Sequence, residues 1–157
     1  NSYKRINAPV TASGATWSPN TITYSGNNRT HMIRVPGAGR FELRLMDGAT
    51  NPYLLQAGII AAGLDGLEKK RNPGKPLFIN MYEEGDKLQD VKKLPNSLDQ
   101  ALNNLNENKA LKSAFGEKTI NSYIKLKKIE INKFKSSNSS QSSNIISDWE
   151  KINTLDC

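Results

Sequence analysis

Between Arg40 and Leu67 the chain changes its hydrophobic period once, and that change limits the folds open to it. Arg40, Glu42 and Arg44 alternate with Phe41, Leu43 and Leu45, the period of two that belongs to a strand with two unlike faces. Six residues later Thr50 or Asn51 can cap a helix and Pro52 suits its first position. From Tyr53 to Leu67 apolar residues then surround the axis, the pattern of a buried helix. A strand leading directly into such a helix predicts an α+β fold, with a sheet backed by helices.

The rest of the chain extends this pattern. Thr21–Ser25 and Arg29–Val35 are β-rich runs joined by Ser25-Gly26-Asn27-Asn28, and Pro36-Gly37-Ala38-Gly39 turns the chain into Arg40–Met46. Short connections of this kind predict an antiparallel meander. The segment 75–95 is polar and irregular and reads as a long surface loop. Ser97 with Gln100 opens a helix over 98–105, another covers 108–115 and stops at Gly116, and a long one covers 117–135. Ile120, Tyr123, Ile124, Ile131 and Phe134 form its stripe, interrupted by Lys127. The Ser/Asn-rich segment 135–144 is expected to be flexible, and residues 145–157 form a tail with a last helical turn or two. No internal repeat is present.

Composition narrows the chemistry. The net charge is +7, from 22 basic and 15 acidic side chains. Five of the six arginines (Arg5, Arg29, Arg34, Arg40 and Arg44) precede residue 50, beside one lysine, and no Asp or Glu precedes Glu42. Lysine is the default cation elsewhere, so arginine marks places where a planar fork of donors is needed for carboxylate or phosphate. A plain basic surface patch, or strand charges that merely pair in solvent, would explain the same residues. Five guanidiniums about one carboxylate exceed what an ion pair requires, and suit phosphoryl chemistry, with Glu42 a candidate for a hard metal ion. Arg29 and Arg34, five apart, cannot share a face of one ideal strand, so one must lie in a turn or beside a bulge. His31 is the only histidine, and a structural role fits it better than a triad. Cys157 is the only cysteine, which excludes an intrachain disulfide. No charged-then-apolar leader or membrane-length apolar run occurs, so an intracellular, cytoplasmic protein is expected. Nucleic-acid motifs are missing too, although the charge keeps a basic anion- or nucleic-acid-binding domain open as an alternative.

Three stretches carry a resemblance: NSYKR (1–5), NRTHMIRVP (28–36) and RFELRLMDGATNPYLLQAGIIAAGLDGL (40–67). In order and spacing they resemble the C-terminal part of the glutamine synthetase catalytic domain. Weaker similarity runs through NMYEEG, LPNSLDQAL and SYIKLKKIE to residue 134. SGATWSPNT and the closing TLDC resemble the type III branch, which includes γ-glutamylmethylamide synthetases. The resemblance implies an ATP-dependent ligase joining glutamate to ammonia or methylamine through a γ-glutamyl phosphate. It implies Mg²⁺ or Mn²⁺, and a homo-oligomer acting in nitrogen metabolism.

It also implies roles for single residues. Arg5 would hold the glutamate carboxylate, Arg29 would steady the transferred phosphoryl group, and Arg34 and Arg40 would lie near the nucleotide phosphates. Arg44 would grip substrate carboxylate or phosphate, and Glu42 would ligate metal. Catalytic roles thus fall to Arg29 and Arg44. Where class I relatives carry an ammonium-deprotonating glutamate, this sequence has Thr11, which leaves the base unassigned. Tyr82 lies near a tyrosine that some relatives adenylylate, in different surroundings, and no regulation is transferred to it. The expectation is residues 1–134 as the last part of a catalytic domain, lacking most metal-ligating glutamates and inactive alone. A non-catalytic module that pairs with a partner is the other outcome.

Overall fold

The computed structural model describes residues 2–7, 18–137 and 145–154. The Thr11 position, most of SGATWSPNT and of the Ser/Asn-rich segment, and Cys157 lie outside them. Two compact units divide the chain. One takes Asn1–Gly48, Gly74–Asn96 and Ser142–Ile146; the other takes Ala49–Pro73, Ser97–Gln141 and Ser147–Cys157.

In the first unit a short helix, α1 (Ser2–Asn7), precedes a three-stranded sheet of β1 (Tyr24–Ser25), β2 (Ile33–Gly37) and β3 (Arg40–Leu43). The β2–β3 hairpin is antiparallel, as its Gly37-Ala38-Gly39 turn predicts, with Arg34 opposite Glu42 and Gly37 opposite Arg40. Its two-residue connection places Gly39 at φ 78°, a left-handed conformation that favours glycine. The register shifts between Arg34 and Gly37.

β1 corrects the meander. It runs parallel to β2, pairing Tyr24 with Ile33 and Ser25 with Arg34, so the sheet is mixed. The reason is non-local. The run 20–24 bonds to residues far ahead: Ile22 N–H donates to Lys92 O, Leu94 N–H to Asn20 O and Leu77 N–H to Tyr24 O. A tight turn at Gly26–Asn28 then lets the chain double back and start β2 in the same direction as β1.

The segment 75–95 is likewise more ordered than a surface loop. It contains α3 (Met81–Glu84), a 3₁₀ turn at Gly85–Lys87 and a bridge from Lys93 to Thr21. Met81 is buried. Around it the interior of this unit is polar: Thr21, Thr23, Ser25, Thr30 and a fully enclosed His31. His31 Nε2–H donates to Ile79 O (3.1 Å), which leaves Nδ1 to accept from the Thr23 hydroxyl (2.9 Å). Thr30 accepts from the Met81 N–H at 3.0 Å, and Asn28 donates to Ile79 O at 2.8 Å. Side chains from 23–31 therefore hold 79–81 in place of a strand partner.

The second unit is helical: α2 (Pro52–Glu68), α4 (Leu98–Glu107), α5 (Lys109–Phe115), α6 (Glu117–Ser136) and α7 (Asp148–Asn153). Asn51 caps α2 by accepting from Leu54 N–H, and Ser97 and Asn108 cap α4 and α5 in the same way. Its core is Leu102, Ile120 and Ile124, with Leu98, Leu105, Phe115, Tyr123 and Ile131 packed round them. The interruption at Lys127 is accommodated at the edge, where the amine pairs with Glu130 and lies 5.9 Å from the Tyr123 ring centre. Phe134 meets Trp149 of α7 at 5.5 Å.

α2 differs from the buried helix its composition predicts: none of its residues is buried. It packs on α5, and Leu55, Gly58, Ala61 and Asp65 along one side are half-covered. The opposite side is open, with Tyr53 82% and Leu67 76% exposed. Phe41, expected on the packed face of its strand, is 63% exposed. No helix among the described residues is long and apolar enough to cross a membrane.

Candidate functional site

Pairing in the β2–β3 hairpin sets Arg34 directly across from Glu42, and two residues on, just past the strand end, comes Arg44. Arg44 stays in line with the sheet because its N–H donates to Met32 O at 2.9 Å. The Glu42 carboxylate thus receives a guanidinium on each oxygen: Arg34 Nη1 on Oε2 at 2.6 Å and Arg44 Nη1 on Oε1. Both arginine side chains are mostly covered, at 16% and 15% exposure, against 40% for Glu42. The Arg34 hydrogen bond, helped by Arg44, holds the Glu42 carboxyl below its ordinary value despite some desolvation.

Other contacts orient the pair. Asn27 Oδ1 accepts from Arg34 Nε (2.9 Å) and Nη2, and Arg44 Nε donates to Arg29 O at 3.2 Å. In the sequence Asn27 is turn chemistry only; its contact with Arg34, seven residues away, carries no signature there. Arg29 lies in the turn before β2, which answers the spacing problem, and its side chain is exposed. Arg40 is exposed at the hairpin end, opposite Gly37.

Arg5 sits elsewhere on the same construction. Its Nη2 donates to the carbonyls of Arg44, Leu45 and Met46 at 3.4, 2.8 and 2.9 Å. Its Nε is enclosed with no hydrogen-bond partner. The expected cluster therefore comes together in part: Arg34, Glu42 and Arg44 touch, Arg5 holds the backbone beneath Arg44, and Arg29 contributes its carbonyl. Arg34 keeps a second N–H on each terminal nitrogen, which can face an anion.

A metal ion is a different matter. Among the described residues no three His, Cys, Asp or Glu side chains stand together. Glu42 is one carboxylate with both oxygens engaged by cations. These residues alone do not fit Mg²⁺ or Mn²⁺, which takes a shell of several oxygens.

Comparison with known proteins places these observations. Residues 1–145 match the family described as glutamine synthetase, catalytic domain. A glutamine synthetase of Rhizobium leguminosarum bv. phaseoli is 54% identical over 156 residues, 99% of this chain and 34% of that protein. A glutamate–methylamine ligase of Methyloversatilis universalis is 44% identical over 133 residues, 83% of this chain and 30% of that one. Among solved structures, one described as a GmaS/ADP complex superposes with a TM-score of 0.78 at 50% identity, covering 99% of this chain and 34% of that chain. The chain spans about a third of the length of the curated relatives it matches.

Proposed function

This chain belongs to the glutamine synthetase family, and from that premise we propose that it supplies part of the active site of an ATP-dependent ligase. The ligase joins glutamate to ammonia or methylamine by way of a γ-glutamyl phosphate. What carries this proposal is the pair of guanidiniums, Arg34 and Arg44, fixed on the single carboxylate of Glu42. The names of the relatives support the amine acceptors, and the ADP in the solved neighbour supports the nucleotide.

In this proposal Glu42 pre-orients the two guanidiniums, so that the second N–H on each terminal nitrogen of Arg34 meets negative charge without reorganising. Charge that spreads over a transferring phosphoryl group is best stabilised by donors already in place. Arg29, exposed in the neighbouring turn, adds a donor to the phosphoryl group, and Arg40 to the nucleotide phosphates. Arg5 binds the glutamate carboxylate by turning its guanidinium from the 44–46 carbonyls, or else holds Arg44 in place. Glu42 would become a ligand of a divalent ion only alongside oxygen ligands from polypeptide outside this chain, and such an ion would neutralise phosphate charge there.

The test is a chimera in which this chain replaces the matching third of the Rhizobium leguminosarum synthetase. Arg34→Ala and Arg44→Lys should each lower turnover on the order of 100-fold, the loss seen when one preorganised donor is removed. Running the assay with ammonia and with methylamine separately identifies the acceptor. Turnover unchanged by both substitutions, in a folded chimera, refutes the proposal.

A further inference from the structure

The parallel pairing of β1 with β2 brings Asn27 alongside Arg34. Ser25 pairs with Arg34, and Gly26 O accepts from Val35 N–H at 3.1 Å, so the turn after β1 stands level with the Arg34 side chain. In an antiparallel hairpin the same turn would lie several residues along the strand from position 34. The turn is anchored on both sides of Asn27. Asn28 N–H closes onto Gly26 O at 2.8 Å, and the Asn28 side chain accepts from the Thr30 N–H and hydroxyl while donating to Ile79 O.

From this turn Asn27 Oδ1 takes one edge of the Arg34 guanidinium, accepting from Nε at 2.9 Å and from Nη2, and Glu42 holds Nη1 at 2.6 Å. Two acceptors at different places on the fork fix its plane, which a single contact would leave free to turn. They differ in charge. Two guanidiniums against the Glu42 carboxylate leave the cluster one positive charge, and an amide oxygen orients Arg34 without removing it. A carboxylate at position 27 could accept the same N–H groups, but it would cancel the charge that attracts an anion.

We propose that Asn27 is a positioning residue for the ligase reaction, a neutral clamp that aims Arg34 at phosphate oxygens and keeps the cluster cationic. The proposal rests on the reading of Arg34 as an arginine that faces phosphate. It adds a requirement at position 27 for an acceptor without charge.

The experiment uses the Rhizobium leguminosarum chimera with Asn27→Ala, Asn27→Asp, Arg34→Ala and the Asn27→Ala/Arg34→Ala pair. Turnover and the thermal midpoint are measured for each. Asn27→Ala should lower kcat on the order of tenfold, a part of the loss from removing the donor itself, because a misaimed donor still acts weakly. With Arg34→Ala already present it should cost less than about twofold, since the clamp then holds nothing. A role in the turn alone would cost the same in both backgrounds. Asn27→Asp should keep the midpoint and still lower kcat on the order of tenfold, through charge rather than aim. In proton–nitrogen NMR of the 157-residue chain, the Arg34 Nε–H signal, identified by its loss in Arg34→Ala, should shift in Asn27→Ala and stay hydrogen-bonded in Asn27→Asp. If Arg34→Ala slows turnover but Asn27→Ala does not, or costs the same in both backgrounds, the proposal falls and the reading of Arg34 stands. Full turnover in Asn27→Asp overturns the requirement for a neutral acceptor. Full turnover in Arg34→Ala overturns the proposal and that reading together.

Discussion

Glu42 accepts two guanidiniums on one carboxylate, and this fixes its preferred protonation state. Its folded value lies below the ordinary 4.5, so the ionised form favours folding above that pH, and the contribution disappears as pH falls through the folded value. Urea titrations across the acid range should show Glu42→Gln losing less stability on acidification than the unsubstituted chain. His31 is depressed as well, because burial penalises its cation, while the bond to Ile79 opposes the shift. The unfolded chain then takes up the proton first, and stability declines as pH drops below about 6.5. His31→Ala should cost about 3 kcal/mol at neutral pH, from the cavity and the orphaned Thr23 hydroxyl and Ile79 carbonyl. It should also flatten the profile between pH 5 and 7 (roughly the histidine range). At this scale the sequence was partly legible. The arginines and Glu42 stand out by composition alone. Asn27 as the partner of Arg34, and the carbonyls under Arg5, do not, because such contacts join positions that only the fold brings together.

The α2 boundaries match their signals, since Asn51, Pro52 and the polar run after Leu67 act within one turn of the helix ends. So do the bounds of α4, α5 and α6 to within a residue or two. The pairing direction of β1 was not legible, because it depends on bonds to 77 and 92–94. Nor was the cap of α7. Ser147 and Glu150 form a reciprocal box there, whose S-x-x-E spacing merges in the sequence with the Ser-rich run before it. The end of α2 offers a measurement. Lys70 sits at φ 48°, where the chain reverses and the Arg71 N–H reaches Gly66 O at 2.9 Å. A side chain there is strained, so Lys70→Gly should raise stability by about 1 kcal/mol in urea unfolding. Leu102→Ala, removing the most enclosed apolar side chain of the helical unit, should cost about 3 kcal/mol.

Across the whole molecule, the apolar side chains and the polar interior are unevenly divided. The helical unit has an ordinary hydrophobic cluster, while the sheet unit buries hydroxyls and an imidazole and leaves Phe41 and Val35 open. Composition read α2 and Phe41 as buried because they are apolar, and a sequence cannot say whether the covering surface is supplied by the same stretch of chain. The same division predicts an outcome for the 157 residues alone. With a single carboxylate at the arginine cluster and no group of three metal-ligating side chains among the described residues, they should give no ATP- and Mg²⁺-dependent γ-glutamyl transfer, whereas the chimera should turn over. The segment held by Thr30, Asn28 and His31 has one more consequence. The Met81 amide belongs to no strand, yet its proton is buried against a hydroxyl. In deuterated water it should persist as long as amides inside the hairpin, while those of the exposed tip at Ala38 and Gly39 trade within moments.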